Sequence, residues 1–124
     1  MREVPMLAVL HAGLARALVL YLAFVGVWGL RAWQQRSGIS PSYRGALVIA
    51  WLTAVVQGAF GILMWVTGIA PRDELHILYG FALAAALPLG YAYSRNRAPR
   101  EQSLVTALVA LFSAGLAIRG ITTS

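Results

Sequence analysis

His11 and His76 are the only two histidines in a 124-residue chain that is otherwise mostly apolar. Imidazole is costly to place in hydrocarbon and is a strong metal ligand. His11 lies six residues after Pro5, and His76 lies five after Pro71. At about 1.5 Å of rise per residue, both stand roughly 7–9 Å into helices that begin at those prolines. They are level to within about one residue if the two helices enter a membrane from the same side. Two imidazoles meeting at one depth across a helix bundle is the arrangement that holds a six-coordinate haem iron. The alternative for each is an interfacial residue, hydrogen-bonded near the headgroups. Zinc is disfavoured, because two ligands fall short of the usual three or four and no carboxylate or thiol stands nearby in sequence.

The elements that must position the pair follow from composition. The chain is 60% hydrophobic and 11% charged, with a mean hydropathy of +0.72. A soluble domain of this size could not bury so much apolar surface. Four stretches approach the roughly 20 apolar residues that cross a bilayer. They predict spans at about 7–30, 46–68, 74–93 and 103–118 within a single domain over 1–124. Pro71 is placed as a helix-start residue, Pro88 as a kink in the third span, and RGITTS as a polar tail.

The formal charge is +6, and every basic residue is arginine. The first loop holds Arg31, Arg36 and Arg44, and the third holds Arg95, Arg97 and Arg100. The middle turn holds Arg72, offset by Asp73 and Glu74. This asymmetry is topological and does not describe a nucleic-acid surface. It places loops one and three in the cytoplasm and both termini outside, in a bacterial or archaeal plasma membrane. Trp28, Trp33, Trp51, Trp65, Tyr91 and Tyr93 are expected as an interfacial belt. There is no cysteine, which excludes disulfides and thiolate metal sites. No small-residue cleavage site follows the first apolar stretch, which therefore reads as a retained span. The expected fold is all-α, an integral membrane up-down four-helix bundle with helices one and three on a diagonal.

Arg16 is the second anomaly. It stands about 7.5 Å deeper than His11 and some 140° around the helix. No acidic residue occurs inside any span, so Arg16 is expected to engage backbone carbonyls, a cofactor carboxylate or a partner subunit, or else to snorkel. Small residues supply close-packing faces: Gly58 and Gly61 on helix two, Gly80 and Ala84 on helix three, and Ala107, Ala110, Ala114 and Ala117 on helix four. Such faces would also leave room for a flat macrocycle.

The stretch HAGLARALVLYL resembles the histidine helix of the haem A synthase family, H-R-x-x-G-R followed by apolar residues. His11 falls on the histidine and Arg16 on the second arginine, while Ala12 and Ala15 replace the first arginine and the glycine. QGAFGILMWVTGIAPRDELH is similar to the family's Q-x-x-L-G-I helix, proline and second histidine, with Gln57, Gly61, Ile62, Pro71 and His76 on those positions and Phe60 on the leucine. GLAIRGITTS is similar to G-x-x-T-R-x-T-x-S, with Arg119 on the arginine, which would make the order permuted. The family has eight spans in two four-helix halves, and this chain resembles one half. The family's catalytic glutamate, three residues before its histidine, is Ala8 here, and its frequent extracellular cysteine pair is absent.

The resemblance implies haem b binding rather than haem hydroxylation. His11 and His76 would be the axial ligands, Arg16 or Arg119 the propionate or partner contacts, and Gln57 a neighbour of the site. The expected function is a small cytochrome-like protein, lodged in the bilayer as a subunit of a respiratory or photosynthetic electron-transfer complex. The alternatives are a cofactor-free accessory subunit and a (bacterio)chlorophyll-binding subunit. Haem A synthase activity is disfavoured by Ala8, and transport by the lack of a carboxylate within a span.

Overall fold

The computed structural model describes residues 3–69 and 74–123, with side chains from Met6 onward. It consists of four helices, α1 (Glu3–Gln34), α2 (Pro41–Val66), α3 (Leu75–Ser94) and α4 (Pro99–Thr123). Each is long and apolar enough to cross a membrane. Pro71, Arg72 and Asp73 lie outside the described residues. Each helix packs on its two neighbours in the ring α1–α2–α3–α4, with no backbone approach across either diagonal among the described residues. The chain is thus an all-α, up-down membrane bundle with α1 and α3 on one diagonal.

The helices overrun the expected span ends, and local chemistry explains why. The hydroxyl of Ser40 accepts a hydrogen bond from the Tyr43 amide at 3.1 Å, and Pro41 occupies the first turn, so α2 starts five residues before Ala46. Helix α1 continues to Gln34 and closes with Ser37 N–H on the Ala32 carbonyl and Arg36 N–H on Trp33, Arg36 taking φ 59°. Gly68, at φ 101°, closes α2 in the same way. The expected polar tail is instead the last turn of α4. There the hydroxyls of Thr122 and Thr123 donate to the Arg119 carbonyl at 3.0 and 2.8 Å, which satisfies them within the helix.

Large side chains cover the outside, among them Leu20, Phe24, Phe81, Leu89 and Phe112. Such a surface suits contact with lipid. Inside, the core joins Leu18, Leu22 and Val25 of α1, Tyr43, Leu47, Ala50 and Ala54 of α2, and Leu83 and Leu87 of α3 to the alanine face of α4. Ala107, Ala110, Ala114 and Ala117 are all buried, as their spacing predicts. The closest approaches involve other glycines than those expected. A Cβ on Gly26 would strike Leu111, one on Gly90 would strike Val109, and one on Gly29 would strike the Tyr43 hydroxyl and the Ala107 methyl. Gly58 and Gly80 face open space.

The buried phenol of Tyr43 passes Gly29 to reach Thr106 Oγ1 at 3.0 Å. Thr106 spends its own proton on the Gln102 carbonyl at 2.8 Å, so Tyr43 is the donor. Helix α3 runs through Pro88 without interruption. Proline has no N–H to give the carbonyl four residues back, and that carbonyl, Ala84 O, accepts the indole N–H of Trp51 from α2 at 3.0 Å. Trp51 is therefore not a belt residue. It stands ten residues into α2 and replaces a donor that the backbone of α3 lacks.

Two outcomes follow. Trp51→Phe should destabilise the bundle by about 1–2 kcal/mol in a detergent melt, because Ala84 O loses its cross-helix donor in hydrocarbon. In a Pro88→Ala background, where the substituted residue's own backbone N–H supplies the bond, the same change should cost much less, and an equal cost in both backgrounds would refute the pairing. Gly29→Ala should cost about 1–3 kcal/mol through overpacking, whereas Gly58→Ala should leave the melting temperature unchanged or slightly raised.

Candidate functional site

Helices α1 and α3 run parallel, and their histidines meet. The ring centroids of His11 and His76 lie 5.9 Å apart with planes crossed at 71°. The level is fixed by neighbouring contacts. Gln57 Nε2 donates to the His11 backbone carbonyl at 2.7 Å, tying α2 to α1. His76 Nδ1 lies 2.8 Å from the Gly120 carbonyl, tying α3 to α4. All four helices thus contribute at one depth.

The two imidazoles are held differently. His76 Nδ1 faces two acceptors, Gly120 O and, at 3.4 Å, Thr123 Oγ1, whose own proton goes to Arg119 O. This network assigns the proton to Nδ1 and leaves the Nε2 lone pair free. A carbonyl behind the distal ring nitrogen is the support that metal-ligating histidines use. His11 has no such anchor, and its Nδ1 is buried with no hydrogen-bond partner. Its Cε1 edge leans on Gly61, where a Cβ would come within 3.3 Å of Cε1. Only glycine admits the ring there without displacement. Gln57 is 8% exposed, and its Oε1 is a second buried atom without a partner. Among the described residues, the third buried side-chain polar atom without a partner is Ser113 Oγ of α4.

A single metal between the rings can be tested against these distances. A metal–imidazole bond of about 2.0–2.1 Å, with the ring centre about 1.1 Å behind the nitrogen, separates trans centroids by about 6.3 Å. The observed 5.9 Å is close to that. Two imidazoles from facing helices are a donor pair that could hold a haem iron. Among the described residues no group of three or more His, Cys, Asp and Glu side chains gathers here, as tetrahedral zinc would need. Packing also thins at this end. Among the described side chains of α1 none before Leu18 is fully buried, and in α3 none before Leu83.

The remaining sequence candidates are not brought to the rings. Arg16 is exposed toward lipid on α1. The antiparallel register, with Gly26 beside Leu111 and Gly29 beside Ala107, places Arg16 level with the last turn of α4. Arg119 stands on that turn, also exposed, with its guanidinium 5.6 Å from the centre of the Tyr79 ring. Gln57 does reach the site. Gly120 and Thr123 were missed as contacts of His76. Their spacing of three within the C-terminal motif was a helical signal that a reading as a polar tail discards. Comparison with protein families, with curated proteins and with solved structures finds no match for this chain.

Proposed function

We propose that this chain is a small integral membrane haem b-binding protein, with His11 and His76 as the axial ligands of one haem. The observation that carries the reading is the meeting of the chain's two imidazoles from diagonal helices at 5.9 Å, one of them fixed by the Gly120 carbonyl with Nε2 free. The unpartnered Nδ1 of His11 and the sparse packing around both rings support it further. So does the resemblance of the His11, Gln57 and His76 segments to haem A synthase. A bound haem would supply one-electron transfer. The protein's own part is to hold the rings at one level, to fix the His76 tautomer through Gly120 and Thr123, and to steady the His11 backbone through Gln57. Ala8, where that family carries a glutamate, leaves no acid on α1 beside His11, so the reading is haem holding and not haem modification. The protein would act as a subunit of a respiratory or photosynthetic electron-transfer complex, its histidine end toward the outer face. A shared metal accounts for rings in mutual contact better than two separate (bacterio)chlorophylls do.

Purified protein should show a reduced-minus-oxidised α band of b type and about one haem per chain. His11→Ala and His76→Ala should each abolish the six-coordinate spectrum. A colourless protein after haem-replete expression, or a band that survives both changes, refutes the proposal and leaves the cofactor-free accessory subunit. Gln57→Leu should keep the band but weaken haem retention by about 10-fold or more, the usual effect of removing a supporting contact. Retention equal to wild type in a haem-transfer assay would remove Gln57 from the site.

A further inference from the structure

At the opposite, arginine-rich end, α2 and α3 splay apart and leave a groove of about 260 Å³ open to the bilayer. Its walls are Leu47, Val48 and Trp51 on α2 and Leu87 and Pro88 on α3, and α4 forms the floor. Trp51 pairs with Ala84 across the groove, and counting along this antiparallel pair places Arg44 opposite Tyr91. The groove therefore has a closed end, the Trp51–Ala84 bridge, and a mouth flanked by a guanidinium and a phenol. The two ends lie seven residues apart, about 10 Å along the helix.

The polar groups inside are already committed. The Thr106 hydroxyl is shared between Tyr43 and Gln102, and the Trp51 N–H belongs to Ala84. The volume falls below the roughly 300–1,000 Å³ of sites for drug-sized molecules, so the groove suits an alkyl chain and not a ring cofactor. At the mouth the Arg44 guanidinium and the Tyr91 hydroxyl have no hydrogen-bond partner among the described residues. Arg31, Arg36, Arg95, Arg97 and Arg100 stand at the same end with Glu101 as the one acid, so the field there favours an anion.

We infer that this groove binds one anionic phospholipid, with an acyl chain lying between α2 and α3 as far as Trp51 and the headgroup phosphate on Arg44 and Tyr91. Arginine offers the phosphate a planar pair of donors, and the phenol adds a third. A zwitterionic lipid could fill the groove equally well but would be attracted less by the basic end.

The whole chain, reconstituted in mixed phosphatidylglycerol and phosphatidylcholine vesicles and released for native mass spectrometry, should retain one phosphatidylglycerol. Arg44→Gln should lower that retention about fivefold, the worth of one basic contact near a membrane surface. Arg95→Gln, which removes an equal charge outside the groove, should change it less than twofold. Val48→Trp, which fills the groove, should abolish retention while helicity and monodispersity stay as in wild type. Equal losses for Arg44→Gln and Arg95→Gln would overturn the site in favour of diffuse attraction to the basic end. Equal retention of the two lipids by the wild type would overturn it as well.

Discussion

Within hydrocarbon a backbone carbonyl or amide has no water to turn to, and one leucine face is as greasy as another. Apolar burial alone therefore cannot sort four helices that are apolar on all sides. In this bundle hydrogen bonds between helices and a few steric fits do the sorting. Tyr21 O–H reaches the Ala46 carbonyl, and Gln57 Nε2 reaches that of His11, so α1 and α2 are pinned twice. Trp51 pins α2 to α3 at Ala84, and His76 pins α3 to α4 at Gly120. Tyr43 crosses the α2–α4 diagonal to Thr106 through the gap that Gly29 leaves. At the arginine-rich end Arg100 Nε of α4 donates to the Trp33 carbonyl of α1, and every one of these bonds but Tyr43–Thr106 ends on a backbone carbonyl, so they set register as well as adjacency.

The same constraint divides the bundle into two zones. From Leu18 to Val25 in α1, and at the matching levels of its partners, the core is dense and the α4 alanines let backbones approach. Beyond that level toward the histidines, the fully buried apolar side chains give way to Gln57, Thr123 and two half-buried imidazoles. The helices are held there by polar contacts more than by packing. The polar contacts fix the level of this end where packing does not.

Much of this was legible in the sequence, and the losses have physical causes. The four spans, the diagonal placement of α1 and α3 and the common level of His11 and His76 follow from apolar length, short connections and a fixed rise per residue. Helix ends were less legible because polar residues near a membrane surface can continue a helix. Ser40 and Pro41 start α2 early, and the threonines after Arg119 satisfy themselves within α4. Trp51 read as a belt residue because nothing in the sequence links it to Pro88 on another helix. Gly26, Gly29 and Gly90 are the glycines that matter for packing, and only their facing residues reveal it. Gln57 stands on the face of α2 that meets His11, whereas Arg16 and Arg119, aligned by the same resemblance, are exposed.

Arg16 shows how far charge and site have separated. It stands on the lipid face of α1, and Arg119 occupies the same depth on α4 beside Tyr79. Neither guanidinium points into the bundle, so the pair does not neutralise anything between the imidazoles as the chain stands. Their long stems allow the heads to rise toward the membrane surface, which brings positive charge to the rim of the histidine end without placing it in the interior. A haem held as proposed would therefore meet these arginines only at the rim of the bundle.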